Sequence, residues 1–299
     1  MLARRDALRL LLALGLLPGC AHRQRRASYA ERRAAHATAL RLRGPSPGRW
    51  RERPPPAGAV EIRYPSEVGD LLAYFALPEG THAPGSLPAL VYFHGEFSLV
   101  PADFARVRPF VDAGFAVLTP SLRGENGNPG AFELLYGEVD DGVAALRWLC
   151  AQPAVDPTRI FALGHSVGGA LSALLSARED APLAATASAG GIYVPETFVR
   201  WGRDPAQSEL IRFDPADVDE RELRSLLPHV ADMVRPHVAY VGDDDRPIVR
   251  NAEVVAAAAR AVGSPFTVDV VAGDHGSMIH PAVAAYRDVI VSGRWATAG

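Results

Sequence analysis

From residue 60 onward, short apolar runs alternate with segments whose apolar positions recur every three or four residues. The runs predict strands at 60–64, 71–77, 89–93, 115–119, 160–163, 184–189, 238–241 and 266–271. The helical spacing predicts helices at about 102–113, 132–151, 167–177, 249–262 and 281–291. The later strands are unbroken apolar runs, as expected when helices cover both faces of a parallel sheet. The first two, joined through residues 65–70, read as an antiparallel edge. The prediction is an α/β fold with a mostly parallel eight-stranded sheet, its reactive groups at the carboxyl ends of the strands.

Two stretches break this rhythm. Residues 190–236 are charged, contain Trp201 and Phe213, and hold short amphipathic pieces, so they predict a small cap inserted over the strand ends. At the other end of the chain, a basic segment with Arg4, Arg5 and Arg9 precedes an apolar stretch at 10–17. A membrane span needs about 20 such residues, so this stretch reads as an export signal. It ends in Leu17-Pro18-Gly19-Cys20, which resembles the lipobox of bacterial lipoproteins. That resemblance implies a lipidated Cys20 at the start of the mature chain and a protein exported and lipid-anchored to a bacterial membrane. Residues 21–59, rich in arginine and proline, then read as a basic linker with local helix, and 60–299 as the folded α/β domain that carries the cap.

Composition changes this picture little. The chain has 299 residues, 48% hydrophobic and 22% charged, as in ordinary globular proteins. Its net charge of -3 gives no reason to expect a nucleic-acid partner. With Cys20 lipidated, Cys150 has no disulfide partner and reads as a small core residue of its helix.

The candidate chemistry sits where the run at 160–163 gives way to helical spacing. Gly164-His165-Ser166-Val167-Gly168 matches the strand–turn–helix pattern in which a serine is held out of the fold in a strained turn. Glycines two before and two after let strand and helix approach, and the helix start directs its amides at the site. A serine hydroxyl needs a base, and the base needs an orienting acid. Downstream strand ends offer Asp243, Asp244 and Asp245 as acids and His275 as base; His280 falls in the next helix. Upstream, a strand ends in His94-Gly95-Glu96, and the amides of Glu96 and Val167 become candidate oxyanion donors.

Together these motifs carry a resemblance. From about residue 60 the chain resembles α/β-hydrolases of the prolyl oligopeptidase and dienelactone hydrolase type. The matching stretches are the His94-Gly95 strand end, "PSLRGENGNPG", "GEVDDGVAALRWLCAQPAVDPTRI" running into "GHSVGG", "GDDDR" and "GDHG". In that family the acid stands three residues after the glycine closing its strand, which selects Asp245. Relatives often carry glycine or an apolar residue where this chain has Glu96. The resemblance implies a serine hydrolase with Ser166, His275 and Asp245 as triad, acting on an ester or related acyl bond of a small molecule. No metal or organic cofactor is expected. Residues 21–59 show no strand–turn repeat of the propeller kind, so small esters are expected to outperform long peptides. The alternatives are a prolyl oligopeptidase-like peptidase or aminopeptidase, and an inactive hydrolase fold used for binding. The complete Ser–Asp–His set argues against the last.

Overall fold

The computed structural model describes residues 26–297. Among them eight strands form one sheet: β1 (Val60–Ser66), β2 (Gly69–Ala76), β3 (Leu87–Phe93), β4 (Ala116–Pro120), β5 (Val155–His165), β6 (Ala185–Ala189), β7 (His237–Gly242) and β8 (Phe266–Val271). Their order is β1-β2-β4-β3-β5-β6-β7-β8. β1 and β2 pair antiparallel, as does β2 with β4; every other neighbour is parallel. The eight predicted strands all appear where the apolar runs stand.

The helices are α1 (Tyr29–Ala35), α2 (Pro101–Asp112), α3 (Gly137–Cys150), α4 (Val167–Leu175), α5 (Glu196–Arg203), α6 (Val218–Glu222), α7 (Arg246–Val262) and α8 (Ile279–Val291). Strand residues alternate between two cores. Ala89, Val91 and Phe93 pack with Val143, Leu146 and Leu171 of α3 and α4. Leu90 and Tyr92 pack with Phe104 and Phe110 of α2 and with Tyr286 of α8. Because both faces are covered, neither side of β3 needs polar residues.

α3 starts five residues later than its periodicity predicts. Leu134 and Leu135 have φ of 54° and 69°, a left-handed pair that no helix accepts. Glu138 holds this turn by accepting from the amides of Glu133, Leu134 and Tyr136 at 2.7–3.1 Å. Cys150, at the end of α3, packs against the core as expected.

Within the span expected as a basic linker, the first described part docks on the α/β body. Ser28 caps α1 in a reciprocal box with Glu31. Tyr29 is fully buried against the His229 ring, centroids 4.6 Å apart, and its amide donates to Asp232 Oδ2 at 3.0 Å. Arg32 pairs with Asp219 and Glu222 at 2.7 and 2.9 Å. Arg33 pairs with Asp140 at 2.6 Å and lies over the Tyr136 ring. The chain then runs on through Ala39, whose amide donates to Glu220 at 2.7 Å, and an isolated bridge from Leu40 to Phe213. Farther along, the Ser46 amide donates to the Gly124 carbonyl at 2.8 Å. Arginine density by itself suggests solvation, but in this segment the carboxylates that receive it lie far away in sequence.

Candidate active site

β5 ends at His165 and α4 begins at Val167, leaving Ser166 alone between them with φ 52° and ψ -115°. A non-glycine residue there stores about 1–3 kcal/mol of strain, which persists only if its surroundings enforce it. They do. The Ser166 amide donates to the Ala189 carbonyl at 2.9 Å and its carbonyl accepts from Ala170 at 3.0 Å. A Cβ on Gly164 would strike the Gly168 carbonyl, and one on Gly168 would strike the carbonyl oxygens of Phe93 and His94.

Two loops complete the arrangement. Asp245 stands three residues beyond the end of β7 and caps α7, accepting from the Ile248 amide at 3.4 Å. His275 stands in the turn after β8. Its Nδ1 lies 2.6 Å from Asp245 Oδ2 and its Nε2 lies 3.0 Å from Ser166 Oγ. With the proton on Nδ1 donated to the carboxylate, Nε2 is free to accept from the serine hydroxyl. Asp243 serves the loop instead, accepting from the Gly273 amide at 2.8 Å, and Asp244 is exposed. His280 is exposed on the first turn of α8, away from this group.

Glu96 adopts φ 65°, the left-handed conformation that a glycine would take without strain. Glu96 and Val167 border one small hollow beside α4. Among the described residues no loop hydrogen bond takes up the Glu96 amide. The Val167 amide opens a helix, where the first N–H groups lack intrahelical partners. The exposed side chain of Glu96 leaves its backbone to define the turn.

Two supporting contacts are not foreseeable from the sequence. His165 is buried, and its Nε2 lies 2.9 Å from the His275 carbonyl. Since a carbonyl can only accept, Nε2 carries the proton and donates. A Cβ on Gly95 would strike His165 Nδ1, so one imidazole spaces the Gly95 turn from the His275 loop. Behind that turn, His94 Nε2 lies 3.0 Å from Glu125 Oε2, and Glu125 also accepts from the Leu122 amide at 2.9 Å. The only sequence signal for it is that Glu125 lies within "PSLRGENGNPG", next to Gly124.

The inserted cap forms the wall facing Ser166. Thr197, Arg200 and Trp201 of α5 join Ile192, Ile248 and the three hydrogen-bonded residues around a cleft of about 390 Å³. Among the described residues no cluster of three or more His, Cys, Asp or Glu could hold a metal ion.

The buried histidines set a pH dependence. Burial lowers His165 to about 4, with the nearby His275 and Arg106 charges acting in the same sense. Burial lowers His237 to about 3, and burial with the Arg32 charge lowers His229 to about 3. Each takes up a proton on unfolding below pH ~6.5, so its stabilisation is complete above that pH and is lost as pH falls. Glu138, raised by burial to about 7, works against this trend, as do Asp103 and Asp141, also raised by burial. His94 has the opposite sign to His165. Burial favours its neutral form, but the charge and hydrogen bond of Glu125 help to outweigh burial and raise it to about 9. Its contribution is complete below pH ~6.5 and is lost as pH rises through 9. Denaturant titrations should therefore show stability falling by on the order of 1–3 kcal/mol per pH unit from pH ~6.5 to ~5. A flat profile across that range would contradict the neutral burial of these three rings.

Comparisons with known proteins agree with this architecture. The family described as X-Pro dipeptidyl-peptidase (S15 family) matches residues 23–240, a span that includes Ser166 and stops short of Asp245 and His275. Nothing among curated proteins matches the chain. A puromycin-hydrolyzing peptidase of Mycobacterium tuberculosis superposes with a TM-score of 0.66 at 23% identity, over 79% of this chain and 40% of its own. Acylaminoacyl peptidase from Pyrococcus horikoshii gives 0.61 at 17%, over 78% of this chain and 40% of its own. Esterase 2 of Thermogutta terrifontis gives 0.64 at 19%, over 81% of this chain and 97% of its own. The chain thus spans about two-fifths of the peptidases and nearly all of the esterase, with the α/β-hydrolase fold common to all three. With the S15 profile matched over more than half its length and that fold beneath it, the chain belongs to the X-Pro dipeptidyl-peptidase (S15) family.

Proposed function

We propose that this chain is a serine hydrolase that cleaves a carboxylic ester, or a related acyl bond, of a small substrate through an acyl-enzyme. The observation that carries this reading is the continuous hydrogen-bonded series from Ser166 Oγ through His275 to Asp245, facing the cap-walled cleft. In the first step Ser166 Oγ bonds to the substrate carbonyl carbon while its proton passes to His275 Nε2. The carbonyl π electrons move onto oxygen, and the Glu96 and Val167 amides hold that oxyanion; one such donor is typically worth about 10²–10³ in rate. The tetrahedral species collapses, the acyl–leaving-group bond breaks, and His275 returns its proton to the departing alcohol or amine. Water repeats the sequence on the acyl-serine and frees the acid. Asp245 keeps the imidazole in the required tautomer throughout.

A cleft of about 390 Å³ is near the lower end of the roughly 300–1,000 Å³ common for small-ligand sites. Short-chain p-nitrophenyl esters are therefore expected to give higher kcat/KM than oligopeptides. The second reading, a peptidase, is favoured by the family match itself. A panel pairing p-nitrophenyl butyrate with X-Pro p-nitroanilides and longer peptides separates the two. Efficient peptide cleavage with neglect of the activated ester would replace the first reading with the second.

Export and lipidation at Cys20 belong to the same proposal, and these residues lie outside those described. Among the described residues no helix is long and apolar enough to cross a membrane. Cys20→Ser should shift the protein from the membrane to the soluble fraction, because stable anchoring takes more than one acyl chain at about 0.8 kcal/mol per buried methylene. An unlipidated Cys20→Ser protein that stays wholly membrane-bound would refute the anchor.

A further inference from the structure

Away from the Ser166 cleft, a second cavity of about 400 Å³ opens between residues 49–53 and the start of α2. Arg49, Arg51 and Arg53 line it together with the rings of Trp50 and Tyr74 and with Pro101, the first residue of α2. Its lining residues include no carboxylate; Glu52 lies between Arg51 and Arg53 on the same strip, and Asp103 accepts from the amide of the lining residue Val100 at 2.9 Å.

These arginines, all exposed, differ from those that tie the fold together. Arg32, Arg33, Arg41, Arg106, Arg123 and Arg178 each pair with a carboxylate. Among the described residues Arg49, Arg51 and Arg53 make no such pair. Three guanidinium groups within five residues repel one another, yet the fold gathers them on one hollow. The strip is anchored at its Arg49 end. The Arg49 carbonyl accepts from Ser98 Oγ at 3.5 Å, and Gly48 packs so closely on Phe97 that a Cβ would strike its carbonyl. A proline run at 54–56 follows and keeps the strip extended.

We infer that this cavity binds a phosphate group. A phosphate ester carries up to two charges and several acceptor oxygens, which suit planar guanidinium forks, whereas a carboxylate would leave more of the positive charge uncompensated. Trp50 and Tyr74 offer aromatic surface to the organic part of the ligand. The group could come from an anionic phospholipid headgroup or from a free phosphate ester, and the exposed Leu42 and Trp50 on the same strip suit the first source.

The test is calorimetric titration of the full chain with inorganic phosphate, glycerol 1-phosphate, and dihexanoyl phosphatidylglycerol below its micelle concentration. The phosphate esters should bind with Kd below about 1 mM at low salt and more weakly as salt rises. Arg51→Gln combined with Arg53→Gln should weaken binding about tenfold or more while melting temperature and ester hydrolysis stay unchanged. Tighter binding of the lipid than of glycerol phosphate supports a headgroup site, and equal binding supports a free phosphate-ester site. No binding of any probe at millimolar concentration, or unchanged affinity in the double variant, overturns the proposal.

Discussion

Ser166→Ala is expected to lower kcat by about 10⁴–10⁶-fold, because the residues of a hydrogen-bonded triad fail together when the nucleophile is lost. The fold should survive. The Ser166 amide and carbonyl, which fix the turn, are retained by alanine. Alanine is no easier to hold at φ 52° than serine, so the stored strain is unchanged and the melting temperature should move little. Active-site labelling with a fluorophosphonate would vanish along with turnover. A clean Ser166→Ala preparation retaining wild-type hydrolysis would place the chemistry elsewhere in the molecule.

Asp245→Asn is expected to cost roughly 10⁴ in kcat. The amide can still sit 2.6 Å from His275 Nδ1, but its NH₂ favours a tautomer in which Nε2 carries the proton and cannot accept one from Ser166. Asp243→Asn should cost far less, since its Oδ1 holds the Gly273 amide and the side-chain oxygen of asparagine can still do so. Asp244→Asn, at an exposed position, should be near neutral. If Asp244→Asn were the crippling change, the observed pairing of Asp245 with His275 would not be the working one.

These residues differ in how legible they are. The inner strands β3, β4 and β5 can be read because parallel strands covered on both faces need not alternate, so each contains an apolar run of three to five residues, too short for a buried helix, whereas the edge strands β1 and β8 alternate. Ser166 is legible because glycine spacing reports a steric requirement directly. The three aspartates at 243–245 are not separable by pattern, since all follow the same strand, and only the family resemblance singles out Asp245. The roles of His165 and Glu125 are invisible. A histidine in the variable position of the motif, and a glutamate thirty-one residues from His94, meet their partners only after the strands are side by side. The docking of residues 28–46 is hidden for the same reason. Its carboxylate partners Asp140, Asp219, Glu220 and Glu222 lie more than a hundred residues away.

That docking also determines how the molecule carries mechanical load. The segment touches α3 and the cap through α1, crosses the cap at Leu40 and Phe213, and then reaches the Phe97 carbonyl through Ser46 Oγ, one residue past Glu96. Tension applied at the N-terminal end is therefore borne first by the ion pairs of Arg32 and Arg33 and by the buried ring of Tyr29, before any sheet hydrogen bond is stretched. Peeling would begin at α1 and travel toward Ser46, loosening the roof of the cleft while the eight strands stay intact. A chain trimmed to begin at Ala59 would lack this brace entirely.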